Sequence, residues 1–298
     1  FGKSDSFTVY GTLVAGRIED RPVTFNSLSL GQENSWSGIY FEGLQSSESI
    51  IRNCALYNTQ YGISCRNYSS AIIEFNRIEA VYRGFNAESS SPTFRADTII
   101  IFNGPDNCTI QAVGILSTGC SAPKLTIEDC VISIYSPSAT GIWSVFDDIR
   151  ISGNKIHVSA LGLAWGVLLC NAQSDTLERN EIVVSSDSSY VDAAIKSEGT
   201  FGGLIINNTI DISSPFKDTG ISLTETSSNL NVINNIVCGD SSSSAVDCTN
   251  NDHIFMYNDF FGHSDSSSYF LGDTTHIFLN PVFIDHPDSA YRLSRYSP

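Results

Sequence analysis

Basic residues are scarce in this chain. Sixteen Lys and Arg stand against 32 Asp and Glu in 298 residues, a formal charge of −16. A surface of that sign repels nucleic-acid phosphates and anionic membranes, so neither is expected as a partner. Long apolar runs are also missing. Nothing approaches the roughly 20 residues that span a bilayer, and no signal-peptide pattern opens the chain. No segment sustains a 3.6-residue period, so no amphipathic helix is expected. The eight cysteines include no CxxC pair, and the five histidines show no zinc-ligand spacing, so no metal is expected to be held that way. What remains is rich in Ser, Asn, Asp and Gly with few Lys, which points to a secreted or cell-surface protein.

What the chain does have is one short frame used again and again. Ile151-Ser-Gly-Asn154-Lys-Ile156 reads apolar, two variable residues, Asn, one variable residue, apolar. The same frame centres on Asn76, Asn180, Asn208, Asn235 and Asn258, and on Cys54, Asp97 and Cys130 with the middle residue changed. A second marker, a small residue followed by an apolar one, precedes each centre by 13 to 16 residues, as in Gly38-Ile39, Gly141-Ile142 and Ala194-Ile195. Whole repeats vary from 21 to 33 residues while the markers keep phase, so insertions fall in loops. The largest insertion lies near 102–113.

A repeat this short cannot bury its own apolar face; stacked copies can. Each holds about three short strands broken by turns. Coiling the chain pairs every strand in parallel with its equivalents one coil above and below, and inward Ile, Val, Leu and Phe pile like on like. Asn at the polar corner tolerates a left-handed turn, and its amide both donates and accepts. Stacked Asn side chains would then form a ladder that satisfies buried polar groups. The expectation is an all-β, single right-handed parallel β-helix of about eleven coils. It has a capping coil over 1–35, nine repeats over 36–260 and a closing coil over 261–298, and is a monomer cut from a larger protein. Cys54, Cys65, Cys130 and Cys248 read as buried packing residues. Cys108 with Cys120, and Cys238 with Cys248, are the disulfide candidates.

The two frames together resemble the right-handed parallel β-helix of the pectin-lyase-like superfamily. The ending Asn280-Pro-Val-Phe-Ile-Asp285 and the opening Gly11-Thr-Leu-Val-Ala-Gly16 are similar to the terminal coils of secreted bacterial β-helix repeat proteins. The resemblance implies a polysaccharide partner lying along the outer face of the strand that starts at the small-residue marker. Strand alternation then turns marker plus two and plus four outward. The outward set includes Tyr40 and Glu42, Arg66, Glu88, Leu116, Trp143, Leu168, and Lys196 with Glu198.

In this set Tyr40, Glu42, Glu88 and Trp143 are the expected substrate contacts, and Arg66, Lys196 and Glu198 the expected catalytic groups. Arg66 between Glu42 and Glu88 reads as a clamp for an acidic sugar or as a surface ion-pair ladder. Leu116, Trp143 and Leu168 read as a sugar platform or as a stripe covered by a neighbouring loop. Lys196 and Glu198 read as an acid/base pair or as a solvated ion pair. The Gly-His-Gly and Arg-Ile-Lys segments implied for polygalacturonases are missing, as is the acidic calcium cluster implied for pectate lyases. Asp147-Asp148 reads as a solvated corner rather than a calcium site, and no cofactor is expected. Two functions follow: an extracellular scaffold or carbohydrate-binding module, or a lyase or hydrolase of acidic polysaccharide.

Overall fold

The computed structural model describes residues 2, 5–19, 21–27, 35–102, 111–119, 124–187, 191–215, 218–224, 226–240, 242–248, 252–263, 275–281, 283–284 and 292–293. One coil shows the plan. The chain runs along a first face as Ala139–Val145, turns onto a second face as Ile149–Ser152, and turns again onto a third face as Lys155–Ala160. It then starts the next coil as Ala164–Cys170. Every strand pairs in parallel with its equivalent one coil on: Ile142 lies beside Val167, Ile151 beside Leu177, and Ile156 beside Ile182.

The second face is a sheet of ten strands, and the first and third faces belong to one sheet of eighteen. They join because Cys54–Arg66 and Arg77–Glu88 each run unbroken from the third face of one coil to the first face of the next. Residues 6–25 form a true first coil: Ser6 pairs with Gly38, Val14 with Ile50 and Val23 with Cys54. Among the described residues the stack is thus ten strands deep, with eight turns covered on both sides, rather than about eleven coils. At about 4.8 Å per coil the first and last strands lie about 43 Å apart. Phe283–Ile284 and Arg292–Leu293 make a separate antiparallel pair. No helix among the described residues is long and apolar enough to cross a membrane.

The interior is three columns of apolar side chains, as the repeat demands. Ile142 and Val167, Ile151 and Leu177, and Ile156 and Ile182 are all fully buried. Large rings are absorbed the same way; Phe85 and Phe94 stack with centroids 4.3 Å apart. The small markers are small because of close approach at the first corner. A Cβ built on Gly141 would sit 2.4 Å from the carbonyl oxygen of Gly166 and 2.5 Å from Ile156 Cγ2. Neither atom can retreat without moving a strand. Gly141→Val is expected to destabilise the fold by about 3 kcal/mol, against little change for Gly11→Ala, which meets nothing within 4 Å. Denaturant unfolding midpoints of the two variants check this.

The corner between the second and third faces carries the polar column. Asn154 Nδ2 donates to Asn180 Oδ1 at 3.0 Å and to the Ile127 carbonyl at 3.0 Å, and its backbone N–H donates to the same Asn180 oxygen at 3.0 Å. Asn180 bonds Asn208 in this way, Asn208 bonds Asn235, and Asn235 bonds Asn258. The left-handed conformation sits one residue earlier than expected. It belongs to Phe75, Arg179, Asn207, Asn234 and Tyr257, the residues just before the ladder positions, with φ between 55° and 59°. The turn needs one left-handed residue to reverse the chain. The ladder residue after it does not share the positive φ, and its amide points inward to meet the next coil.

Two further expectations are corrected. Cys238 and Cys248 are not joined in a disulfide. Cys248 points into the core cluster, while Cys238 faces outward beside Asp211, so the wall separates them. Cys108 and Cys120 lie outside the described residues. Asp147 is not a solvated corner but fully buried, where it accepts a hydrogen bond from Ser117 Oγ. Cys54, Cys65, Cys130 and Cys248 are buried, as expected.

Candidate functional site on the first face

Alternation along the first face works as the pleat requires. Ile39 and Phe41 are fully buried, whereas Tyr40 and Glu42 are half-buried on the outer side. Parallel register then builds two straight outer rows. One runs Tyr40, Ser64, Asn86, Leu116, Trp143, Leu168, Lys196; the other runs Glu42, Arg66, Glu88, Thr118, Val145, Cys170, Glu198. All seven expected site residues lie in these rows. They form two clusters rather than one.

The first cluster is near the start of the rod. Arg66 lies with its guanidinium 4.7 Å from the Tyr40 ring centroid. Its Nε, shut off from solvent, is 3.5 Å from Glu88 Oε2, close enough for an ion pair but not for a formed hydrogen bond. Glu42 is held from the next coil by Asn67 Nδ2. Burial pushes the Tyr40 phenol pKa up, against the pull of Arg66. Ser6, Thr8, Tyr10 and Ser37 complete a polar cleft of about 280 Å³ over Tyr40, Glu42 and Arg66. The cleft offers one cation, one carboxylate and a ring of hydroxyls, a set suited to a polyhydroxylated ligand.

The second cluster is at mid-rod. Lys196 Nζ is 2.9 Å from Glu198 Oε1 and 5.8 Å from the Trp165 ring centroid. The Lys196 side chain keeps 20% of its exposure and that of Glu198 keeps 44%, so the ammonium is partly covered while the carboxylate meets solvent. Cys170 Sγ lies 3.9 Å from Glu198 Oε2, and burial pushes its thiol pKa up. Trp143 is half-buried; its indole N–H finds no regular acceptor and lies against the Cys170 thiol. Leu116 and Leu168, on either side of Trp143, are 7% and 5% exposed. The stripe is therefore a packed strip with one indole reaching the surface, not an open three-residue platform.

Trp165 is the member that outward spacing alone misses. It stands one position before the Gly166 marker, beside Thr140 and Ala193, so small neighbours leave its ring room to lean over Lys196. The signal was an aromatic immediately before a marker glycine. Arg66 and Glu198 share a row but are five coils apart, about 24 Å. One reacting atom cannot touch both.

Metal binding has little to build on. Asp147 is occupied by Ser117, and Asp148 Oδ1 accepts from the Gln173 backbone N–H at 2.9 Å. Burial raises neighbouring Asp175 to a pKa of about 7, a carboxyl partly neutral near physiological pH. Among the described residues no three His, Cys, Asp or Glu side chains gather as a metal-holding group.

Residues 17–134 match the family model described as right handed beta helix region. No curated protein and no solved structure matches the chain. The same coil, with the same corners and the same parallel register, continues beyond the matched residues to Phe261. The family match and the solenoid together show a right-handed parallel β-helix, a fold consistent with the pectin-lyase-like repeat proteins.

Proposed function

We propose that this chain is an extracellular β-helix scaffold whose first face binds an extended polysaccharide. The observation that carries the reading is the spacing of the two clusters. Tyr40, Glu42, Arg66 and Glu88 at one end and Trp143, Lys196 and Glu198 at mid-rod share one straight face. A compact substrate would reach one cluster; a linear chain lying along the face would reach both. Cations within an acidic surface favour uronate-bearing chains, and Trp143 offers a ring edge for stacking.

A glycan array of neutral and uronate oligosaccharides tests this, with the purified chain and its Trp143→Ala and Arg66→Ala variants. Each variant is expected to weaken binding of a long acidic oligosaccharide roughly tenfold or more. No binding to any polysaccharide, or equal binding by both variants, would end the proposal.

One observation favours a second reading, a lyase or hydrolase of acidic polysaccharide. The Lys196–Glu198 pair is short, has a partly covered ammonium and lies on the ligand face, the position an acid/base pair would need. Ultraviolet absorbance from unsaturated uronates, and reducing-end release, would report turnover. Activity lost in Lys196→Ala would replace the scaffold reading with the enzyme.

A further inference from the structure

The third face carries a groove that neither outer row of the first face touches. Its rim is Phe102 over Tyr135, paired residues on adjacent coils whose rings stack with centroids 5.3 Å apart at 14°. Both remain well exposed, Phe102 at 59% and Tyr135 at 38%. Below Tyr135 the column changes character. The next two coils place Ser159 and then Ser185 at the equivalent position. Two small side chains under a large ring leave the far face of Tyr135 over an open shelf. The parallel row beside it supplies Ser133, His157 and Val183. Together these enclose a groove of about 360 Å³.

The shelf is part apolar and part hydroxyl-bearing. Tyr135 and Val183 offer apolar surface, Ser159 and Ser185 offer hydroxyls, and His157 stands at the side. Glu181 Oε1 meets His157 Nε2 at 3.2 Å, and Lys155 Nζ approaches the other Glu181 oxygen at 3.6 Å. The His157 bond, then Lys155, holds the Glu181 carboxyl below its ordinary pKa, and that bond ties down the imidazole that lines the groove. A flat aromatic ligand would stack on Tyr135 but bury the serine hydroxyls unpaired, at a cost. A pyranose ring matches both halves: its C–H face lies on the aromatic ring, and its equatorial hydroxyls reach Ser159, Ser185 and His157.

We propose that this groove is a second carbohydrate site, in which a neutral hexopyranose unit stacks on Tyr135 and continues the Phe102–Tyr135 column. It stands on its own geometry and not on ligand binding at the first face. No Lys or Arg lines the groove to pair with a uronate carboxylate, which favours a neutral sugar.

Saturation-transfer difference NMR on the full chain tests it, with the methyl pyranosides of glucose, galactose and mannose and their linear tetrasaccharides as probes. At least one neutral series is expected to bind, with saturation strongest on the ring C–H face. Tyr135→Ala should weaken that binding tenfold or more, Tyr135→Phe should leave it within about threefold, and Trp143→Ala should not change it. Tyr135 is well exposed, so its alanine variant is expected to keep the parent melting temperature, which a thermal scan verifies. Equal binding by Tyr135→Ala, loss of all binding in Trp143→Ala, or no neutral pyranoside binding would each overturn the proposal. An array hit that disappears only with Trp143→Ala would support the first face and refute this one.

Discussion

Alanine at Asn180 is expected to cost about 4 kcal/mol of stability. Asn180 Oδ1 accepts from both the backbone N–H and Nδ2 of Asn154, and Asn180 Nδ2 donates to the Ile151 carbonyl and to Asn208 Oδ1. Removing the amide leaves the buried Asn154 N–H with no replacement and strips the Ile151 carbonyl of its side-chain donor. Each orphaned group costs about 1–3 kcal/mol. The other two partners keep one bond each: Asn154 Nδ2 still reaches Ile127, and Asn208 Oδ1 still accepts from the Asn180 N–H. Denaturant unfolding followed by circular dichroism measures the loss; a change below about 1 kcal/mol would mean that water replaces the amide and the ladder adds little.

Asp97→Asn is expected to act in the opposite direction, raising stability by about 1–3 kcal/mol near neutral pH. Asp97 occupies a ladder position, and its Oδ1 accepts from the Asn76 N–H at 2.8 Å and from Asn76 Nδ2 at 3.0 Å. Its Oδ2 is buried with no partner. By the equivalence of coils it takes the place of the amide nitrogen that in Asn154 donates to Ile127, so it is aimed at the Ile73 carbonyl. Two acceptors face each other unless the carboxyl carries a proton. Burial raises the Asp97 pKa well above its ordinary value, with the Asn76 bonds opposing and Glu74 reinforcing.

The sign of the pH effect follows. Above the unfolded pKa of about 3.9 the unfolded chain releases a proton that the folded chain keeps. Stability therefore falls as pH rises, by up to about 1.4 kcal/mol per unit, until the folded carboxyl ionises. Asp175 and Asp259, raised to about 7 and about 6, add slopes of the same sign. The difference between parent and variant isolates Asp97: the gain should grow from about pH 5 to pH 7. Denaturant titrations across that range check it, and a gain that stays flat or is absent would show that Asp97 is already ionised.

The repeat frame was legible because a solenoid writes its contacts at fixed intervals. Asn154, Asn180 and Asn208 meet in space because they occupy the same phase, and the alternation that buries Ile39 and exposes Tyr40 is the ordinary pleat of a strand. Other features depend on what lies across the wall, which phase does not reveal. Asp147 follows a turn and reads as a polar corner, yet Ser117 from the preceding coil reaches it and lets it be buried. Cys238 and Cys248 are ten residues apart in sequence, but the backbone turns one outward and the other in. The third-face groove was missed for a related reason. Phe102 and Tyr135 are 33 residues apart, the one interval the large insertion lengthens, so their pairing shows only once the two coils are stacked.

The single-file arrangement of coils has a mechanical side. Each turn holds only the one before and the one after, so cohesion is passed hand to hand and never pooled at a centre. Injury at one junction should open the rod there and leave distant turns intact, and melting should creep inward from whichever end is less firmly closed.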